Sequence, residues 1–205
     1  MDKGKFIVFE GIDGAGKSTL SKMLAAKLSQ GGSPTHETFE PTNSPIGSVI
    51  RNILGRRILA DEQTIAALFL ADRLDHIKNE VNGMLKQINK GRTVICDRYY
   101  LSSYAYHVPH VSLDWIIEAN DVCRTLLKPD VIFFINIPVE ISLRRLLQHR
   151  QSLDLFETKE RITQVYENYH KAIARVGDRE NIIDIDGTLP VQEVFDLIWS
   201  HVDAL

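Results

Sequence analysis

A glycine-rich loop near the N-terminus constrains the fold of this chain more than any other feature. Residues 6–9 form a short apolar run typical of a buried parallel strand, and Gly11-Ile12-Asp13-Gly14-Ala15-Gly16-Lys17-Ser18 follows it closely. The loop matches G-x-x-x-x-G-K-[ST], and residues 17–30 have a helical pattern. In such a loop, backbone N–H groups surround phosphate oxygens, the lysine reaches the β- and γ-phosphates, and the hydroxyl ligates Mg²⁺. The segment therefore predicts a nucleotide-phosphate site.

Predicted strands and helices alternate along the rest of the chain. The strands are predicted at residues 6–9, 35–39, 93–96, 131–135 and 181–185, and the helices at 17–30, 46–54, 62–89, 113–127, 138–149, 156–176 and 190–202. This alternation favours right-handed crossovers and a parallel sheet covered on both faces. We predict an α/β fold over residues 1–205, a single three-layer P-loop NTPase domain with a mainly parallel five-stranded sheet.

The composition excludes several classes of protein. With 24 Lys and Arg against 27 Asp and Glu, the formal net charge is -3, which excludes a generally basic nucleic-acid binder. The two cysteines, Cys96 and Cys123, lack the spacing of a metal site. No segment approaches about 18 uninterrupted apolar residues, and the N-terminus has no signal-peptide pattern. We expect a cytoplasmic protein without nucleic-acid or membrane partners.

The segment Asp97-Arg98-Tyr99 follows the strand predicted at residues 93–96. The carboxyl ends of parallel strands form the ligand-binding edge of an open α/β sheet. Asp97 at that edge is suited to organise Mg²⁺ and its waters, while Arg98 faces a phosphate. The alternative is a structural ion pair, because ion-pair networks also bring such residues together.

The helix predicted at residues 62–89 carries a second candidate pair. Its core-facing stripe is predicted to consist of Leu74, Ile77, Val81, Met84, Leu85 and Ile88. Phe69 and Arg73, four residues apart, lie on the shoulder of that stripe. By itself this position suits a core phenylalanine and a solvated arginine. An aromatic ring and a planar cation at a core boundary also suit a flat base with carbonyl edges, and the other motifs favour that interpretation.

A basic segment between two predicted helices resembles a closing lid. It contains Arg144, Arg145, His149 and Arg150, followed by Asp154 and Glu157. A lid at about residues 144–157 would bring a guanidinium group to the charge that develops on a transferred phosphoryl group. Arg144 and Arg145 are equally compatible with an ordinary solvated helix face.

Together these motifs resemble those of thymidylate kinases over nearly the whole chain. The resemblance implies transfer of the γ-phosphoryl group of ATP to dTMP with Mg²⁺, in an enzyme that is commonly a homodimer. It implies that ATP is bound by Gly11, Ile12, Asp13, Gly14, Ala15, Gly16, Lys17, Ser18 and Thr19, with Asp186, Gly187 and Thr188 bordering the adenine. The residues implied in catalysis are Lys17, Arg98, Asp13, Arg144 and Arg150, and those at the metal are Ser18 and Asp97.

The same resemblance assigns residues to the acceptor. It implies that Asp13 approaches the sugar 3′-hydroxyl, that Phe69 stacks on thymine, and that Arg73 contacts a base carbonyl. Arg98 is implied to hold the acceptor phosphate. The other acceptor residues are Glu40 and Pro41 beside the nucleotide, Arg51 near it, Ser103 and His107 near the base, and Tyr106 near C2′ of the sugar.

Several positions depart from the family pattern. Phe39 stands where bacterial members often have Arg before Glu-Pro, and His107 stands at a position that is often Gln. A frequent lid sequence, D-R-x-E, is here Asp154-Leu155-Phe156-Glu157. The phosphate loop carries no arginine between Gly11 and Gly16, so the resemblance is to members whose lid supplies the basic group. This points to Arg144 and Arg150 without deciding between them.

Three other classes of function were considered. A nucleoside kinase would use Glu40 as the base that takes a proton from a 5′-hydroxyl group. A nucleotide-binding module would bind ATP with little turnover. A GTPase is not supported, because the D-x-x-G pattern of Asp184-Ile185-Asp186-Gly187 lies near the C-terminus and Asn89-Lys90-Gly91-Arg92 lacks the guanine-reading aspartate.

Overall fold

The computed structural model describes residues 3–108, 110–149 and 158–205. Five strands form one sheet in the order β2-β3-β1-β4-β5, and each neighbouring pair runs parallel. The strands are β1 (Phe6–Glu10), β2 (Thr35–Phe39), β3 (Thr93–Asp97), β4 (Val131–Asn136) and β5 (Ile182–Asp186). The predicted five-stranded sheet is confirmed, and every strand falls within one residue of its predicted position.

Helices flank this sheet. They are α1 (Lys17–Gln30), α2 (Pro45–Leu54), α3 (Glu62–Lys78), α4 (Met84–Asn89), α5 (Tyr100–Tyr106), α6 (Leu113–Leu126), α7 (Val139–His149), α8 (Lys159–Val176) and α9 (Val191–Val202). Within the described ranges, no helix combines the length and apolar character needed to cross a membrane.

The inner strands read as continuous apolar runs because both of their faces are covered. All five residues of β1 are buried, and so are the first five residues of β4. The edge strands β2 and β5 are more exposed and more polar. This difference is the one expected between central and edge strands of a parallel sheet. The carboxyl ends of β1 and β3 consequently lie side by side, which brings the phosphate loop next to Asp97.

The single helix predicted over residues 62–89 is wrong, because the chain turns between α3 and α4. The side chain of Asn79 accepts hydrogen bonds from the backbone N–H groups of Val81, at 2.9 Å, and Asn82, at 3.4 Å. A Cβ at Gly83 would lie only 2.5 Å from the carbonyl oxygen of Asn79. Val81 is 81% exposed and therefore does not belong to the predicted apolar stripe. Local side-chain bonding to the backbone outweighs the helical pattern at this point.

Helix α5 is an element that the sequence pattern does not indicate. It begins directly after Asp97-Arg98-Tyr99, and Arg98 has a φ of 73° in the left-handed region. All seven residues of α5 are buried, so the helix has no amphipathic periodicity to reveal it. Its position follows from packing, since α5 lies between α6 and α8.

Candidate active site

The phosphate loop joins the carboxyl end of β1 to the first turn of α1. Its three glycines have φ angles of 140° at Gly11, 74° at Gly14 and 99° at Gly16. Glycine adopts such angles without the steric cost of a side chain. A Cβ at residue 11 would also lie 2.6 Å from the carbonyl oxygen of Ile135 on β4. The loop therefore needs glycine at residue 11 both for its backbone angles and for its contact with the neighbouring strand.

Gly11→Ala should lower the free energy of unfolding by about 3 kcal/mol, because backbone strain and the contact with Ile135 act together. Gly32→Ala is the control, since Gly32 has a φ of 82° but a Cβ there meets nothing within 4 Å. We expect the control to lose about 1 kcal/mol. Urea unfolding measures both values, and equal losses would contradict the steric argument at Gly11.

A cavity of about 550 Å³ opens over this loop. It is lined by Asp13, Gly14, Ala15, Gly16, Lys17, Ser18 and Thr19, together with Asp97, Arg98, Arg145, Gly187 and Leu189. Gly11 and Ile12 do not line this cavity, and Ile12 is buried in the core. The structure thus gathers most of the predicted ATP-binding residues around a single cavity.

Lys17 is a buried cation at this cavity. Its Nζ donates a hydrogen bond of 3.0 Å to the carbonyl oxygen of Ile12. Burial, followed by repulsion from Arg98, lowers the pKa of the Lys17 ammonium group to about 8. Since desolvation and a like charge both disfavour the ammonium form, an anion in the cavity would stabilise it.

Ser18 and Asp97 form a polar pair beside Lys17. The hydroxyl group of Ser18 donates a hydrogen bond to Oδ2 of Asp97, whereas the buried Oδ1 of Asp97 has no partner in the described part of the chain. Among the described residues, no group of three or more His, Cys, Asp or Glu side chains could hold a metal ion. Mg²⁺ in phosphoryl-transfer sites uses one or two protein oxygens, substrate phosphates and waters, so this pair fits Mg²⁺.

Arg98 connects the phosphate loop to α5. Its guanidinium group donates hydrogen bonds to Oδ1 of Asp13 and, over 3.1 Å, to the hydroxyl oxygen of Tyr106. The Tyr106 hydroxyl donates in turn to Oδ2 of Asp13 over 2.9 Å. Burial would raise the pKa of Asp13, but the charges of Arg98 and Lys17 outweigh it and hold that pKa below its usual value. Asp13 is therefore ionised next to a permanently charged arginine.

A second layer of buried side chains supports Arg98, and the sequence interpretation did not single it out. Ser102 and Tyr169 each accept a hydrogen bond from the Arg98 guanidinium, over 3.1 and 3.4 Å. Both also contact the carboxylate of Glu10 at the end of β1. The sequence does show Glu10 as a carboxylate at the end of an apolar strand, and that position could have marked it as a candidate for the site. Tyr169 continues the apolar face of α8, a pattern that indicates a buried side chain but no role in the site.

Glu40 and Arg73 form a buried ion pair on the other side of β3. The Nε of Arg73 donates to Oε2 of Glu40 over 2.8 Å, and His76 Nδ1 lies 3.1 Å from Oε1 of Glu40. Arg73 also donates to Oδ1 of Asn120 and to the carbonyl oxygen of Tyr99. Arg73 is 1% exposed, so the solvated position that the isolated helix pattern suggested is wrong.

Arg51 on α2 supports the loop that follows Glu40. Its guanidinium group donates to the carbonyl oxygens of Pro41, over 3.1 Å, and Thr42. It donates as well to the hydroxyl oxygen of Ser48, over 3.0 Å. In this structure Arg51 therefore holds Pro41 and Thr42 against α2.

Phe69 and His107 bring two inclined aromatic rings together, and Ser103 and His107 supply two buried polar atoms. The ring centroids of Phe69 and His107 are 5.1 Å apart. Within the described ranges, Oγ of Ser103 and Nδ1 of His107 are buried without a hydrogen-bond partner. Burial, and then the positive charge of Arg73, lowers the pKa of His107 to about 3, so the imidazole is neutral. Buried polar atoms without partners indicate a place for a ligand or water.

The two neighbouring arginines of α7 lie in different environments. Arg145 donates to the carbonyl oxygens of Gly14, over 3.2 Å, and Gly187, over 3.0 Å. Arg144 is exposed, and Arg150 lies outside the described residues together with most of the predicted lid. The solvated position considered for Arg145 is therefore wrong, whereas Arg144 does face solvent. The sequence analysis included Arg145 in the basic lid segment but did not assign it to the ATP site, because two adjacent arginines look alike in the pattern.

The segment after β5 closes one end of the cavity. Both the backbone N–H and the hydroxyl group of Thr188 donate to Oδ1 of Asp186, over 2.9 and 2.6 Å. A Cβ at Gly187 would lie 2.7 Å from methyl groups of Ile135 and Ile137. Gly187 therefore brings its backbone against β4 and lines the cavity opposite the phosphate loop.

Comparison with known proteins identifies a family for this chain. A family model described as thymidylate kinase matches residues 9–198. The chain is 40% identical to a protein of Methanocaldococcus jannaschii named "Probable thymidylate kinase", over 96% of this chain and 95% of that protein. It is 40% identical to a thymidylate kinase of Desulfotalea psychrophila, over 79% and 78% of the two chains. It is 36% identical to a thymidylate kinase of Brachyspira hyodysenteriae, over 80% and 78%.

Proposed function

The chain belongs to the thymidylate kinase family, and we propose that it transfers the γ-phosphoryl group of ATP to dTMP, giving dTDP and ADP for dTTP synthesis. It is accordingly an ATP-dependent nucleoside monophosphate kinase. The observation that carries the proposal is the ion pair between Asp13 and Arg98. Because of this pair, a second phosphate-binding cation lies beside the donor loop, as in-line transfer between two phosphates requires.

The donor half of the proposed site is the cavity over the phosphate loop. Backbone N–H groups of Gly11–Thr19 would bind the ATP phosphates, with Lys17 between the β- and γ-phosphates. Asp186, Gly187 and Thr188 would border the adenine. Arg145 lies between Gly14 and Gly187 and would contact ATP from the α7 side.

Ser18 and Asp97 would hold Mg²⁺. When bound, Mg²⁺ would supply positive charge that offsets the negative charge of the ATP phosphates. The Ser18 hydroxyl is already oriented by Asp97, and the unpartnered Oδ1 of Asp97 supplies a second oxygen. The chain's own contribution is thus a small oxygen site at the start of α1.

The acceptor half would lie between α3 and α5. Arg98 would bind the dTMP phosphate, and Asp13 and Tyr106, which both bond to Arg98, would lie near the sugar. Phe69 would stack on thymine, with the unpartnered atoms of Ser103 and His107 near the base edge. The remaining acceptor residues in the proposal are Glu40, Pro41, Arg51 and Arg73.

The reaction proposed here needs no general base. The phosphate of dTMP already presents an ionised oxygen, so the main work is positioning and charge neutralisation. A nucleoside kinase would instead need a carboxylate free to take a proton from the 5′-hydroxyl group. Glu40 does not suit that role, because both of its carboxylate oxygens are engaged by Arg73 and His76.

The proposal also includes a lid that closes over the site. Either Arg144 or Arg150 would approach the transferred phosphoryl group when the segment at about residues 144–157 closes.

We propose a homodimer in the cytoplasm, in agreement with the family resemblance. Sedimentation velocity should detect twice the chain mass of 23.3 kDa, and a single species at the chain mass would contradict the dimer.

A coupled assay with ATP and Mg²⁺ tests the proposed function. It compares dTMP, dUMP, other nucleoside monophosphates and thymidine as acceptors at equal concentrations. We expect turnover with dTMP and none above background with thymidine. Turnover with thymidine alone would support the nucleoside kinase, and ATP binding without turnover on any acceptor would support the binding module.

The affinity for ATP should fall as the pH rises through the pKa of Lys17. With that pKa lowered to about 8, Lys17 is charged below this pH and neutral above it. Because bound phosphates favour the charged amine, the dissociation constant should rise by up to about tenfold per pH unit above pH 8. Calorimetric titration with ATP near pH 8 should also show proton uptake. Lys17→Met is the control and should lose this pH dependence, and a constant affinity up to about pH 9.5 would contradict the argument.

A further inference from the structure

Glu10 is a fully buried carboxylate at the junction of β1 and the phosphate loop. Oε1 accepts hydrogen bonds from the backbone N–H groups of Tyr99, over 2.8 Å, and Ser102, over 3.1 Å. Oε2 accepts from the hydroxyl groups of Ser102, over 2.6 Å, and Tyr169, over 3.0 Å. Each carboxylate oxygen thus accepts two hydrogen bonds, and three of the four donors belong to the residues that open α5.

The hydrogen-bond pattern suits a carboxylate at residue 10. Oε1 faces two backbone N–H groups, which can only donate, whereas Oε2 faces two hydroxyl groups, which donate to a carboxylate but can also accept. A glutamine that keeps its oxygen at Oε1 would place its NH₂ group at Oε2, and both hydroxyl groups would have to turn their hydrogens away from residue 10. Burial raises the pKa of Glu10, and the hydrogen bond from Ser102 and the charge of Arg98 oppose that increase. In the absence of a direct ion pair among the described residues, neutral donors stabilise this carboxylate.

Two of the groups that bind Glu10 also bind Arg98. The Ser102 hydroxyl oxygen lies 3.1 Å from Nη1 of Arg98, and the Tyr169 hydroxyl oxygen lies 3.4 Å from the same atom. Nη1 of Arg98 also donates to the carbonyl oxygen of Gly11, the residue that follows Glu10, over 3.3 Å. Glu10 therefore reaches the guanidinium group through two hydroxyl groups, and the backbone after Glu10 reaches it directly.

We propose that Glu10 is a positioning residue that fixes the guanidinium group of Arg98 relative to the phosphate loop, without contacting substrate itself. The proposal rests on the proposed function, because it assigns the acceptor phosphate to Arg98. Glu10 holds the start of α5 against the end of β1. The hydroxyl groups of Ser102 and Tyr169 bond to both Glu10 and Arg98 and so hold the guanidinium group in place. Glu10 thus acts together with the direct contacts of Arg98 to Asp13 and Gly11 in setting the distance between the donor loop and the acceptor phosphate.

Glu10→Gln should reveal this role as a defect that depends on the acceptor phosphate. We expect kcat/KM for dTMP to fall by about 10- to 100-fold, since the Ser102 and Tyr169 hydroxyl groups that hold Arg98 must reorient and the buried negative charge near Arg98 is lost. The affinities for ATP and for thymidine, which lacks the phosphate, should change by less than about threefold. In an Arg98→Ala background the same substitution should cost less than about threefold, because the residue through which Glu10 acts is already absent.

Glu180→Gln is the matched control. Glu180 has a side chain only 1% exposed and also binds α5, through the hydroxyl group of Tyr100, but it does not contact Arg98, Ser102 or Tyr169. We expect this variant to lose stability with little change in kcat/KM for dTMP. Equal losses in the two variants would reduce Glu10 to a structural residue and overturn the proposal.

The other outcomes are also decisive. A Glu10→Gln loss that is as large in the Arg98→Ala background, or that extends equally to thymidine binding, would overturn the proposal.

If Glu10→Gln does not fold, Ser102→Ala takes its place, because it removes one link between Glu10 and Arg98. It should weaken dTMP binding by about fivefold while thymidine binding is kept, and an unchanged dTMP affinity would contradict the inference. Failure of the unmodified protein to phosphorylate dTMP would instead refute the proposed function.

Discussion

Arg98→Ala is expected to reduce kcat/KM for dTMP by about 1,000-fold, the largest effect on the acceptor side. The substitution removes the cation proposed to bind the acceptor phosphate. It also leaves the partly buried Asp13 carboxylate without its ion-pair partner, although Tyr106 still donates to it. Because both changes occur where the two phosphates meet, the effect should appear in kcat as well as in KM.

Steady-state kinetics and ligand binding together check this result. ATP affinity should change much less than kcat/KM for dTMP, because Arg98 lines the donor cavity but is not part of the phosphate loop. Arg124→Ala is the control, because Arg124 pairs with Glu180 outside the cavity and should leave activity near that of the unmodified protein. An Arg98→Ala enzyme that phosphorylates dTMP with unchanged kcat/KM would show that another residue holds the acceptor phosphate.

Lys17→Met is expected to lower kcat by about 100- to 1,000-fold. Lys17 is the buried cation of the donor cavity, and an ammonium group between the β- and γ-phosphates stabilises charge that develops during transfer. Methionine keeps much of the length of the side chain and removes the charge, so the backbone of the loop should be preserved. The KM for dTMP should change little, because the acceptor lies on the Arg98 side.

The control for this variant is Lys22→Met, on the exposed face of the same helix. We expect Lys22→Met to retain full activity and a similar unfolding midpoint. Rapid-quench measurements would separate the chemical step from product release in the Lys17 variant. A kcat within about threefold of the unmodified protein would contradict the proposed role of Lys17.

The N-terminal unit could be predicted from sequence because its constraints are local. An apolar run, the spacing of Gly11, Gly16 and Lys17, and a helical pattern all lie within one short segment. The position of Asp97 at the sheet edge could also be predicted, since it needs only a parallel sheet and the end of one strand. These local signals are the reason that the strand–loop–helix start and the cavity around it could be expected.

The supporting contacts of the site could not be predicted because they join distant segments. Tyr169 binds the carboxylate of Glu10 across 159 positions of the chain. Which arginine of α7 faces the loop depends on how that helix packs against it, and the Ser142 hydroxyl donates to the carbonyl oxygen of Asp13 over 2.7 Å. A periodic pattern identifies a buried face, but it does not identify the partner that the face contacts.

The break between α3 and α4 shows a different limit. Apolar residues at helical spacing continue through Val81, but the side chain of Asn79 satisfies backbone N–H groups that a continuous helix would use. An Asn-containing turn competes locally with helix formation, and periodicity takes no account of that competition. The residue roles assigned by resemblance remain predictions that the kinetic experiments above address.

Tracing a label from ATP tests the central claim most directly. The protein is incubated with Mg²⁺, ATP labelled at the γ-phosphorus, and either dTMP or thymidine, and the products are separated by chromatography. The account predicts label in the β-phosphate of dTDP when dTMP is present, and no labelled nucleotide product with thymidine. Labelled dTMP formed from thymidine, or labelled inorganic phosphate as the only product in both reactions, would contradict it.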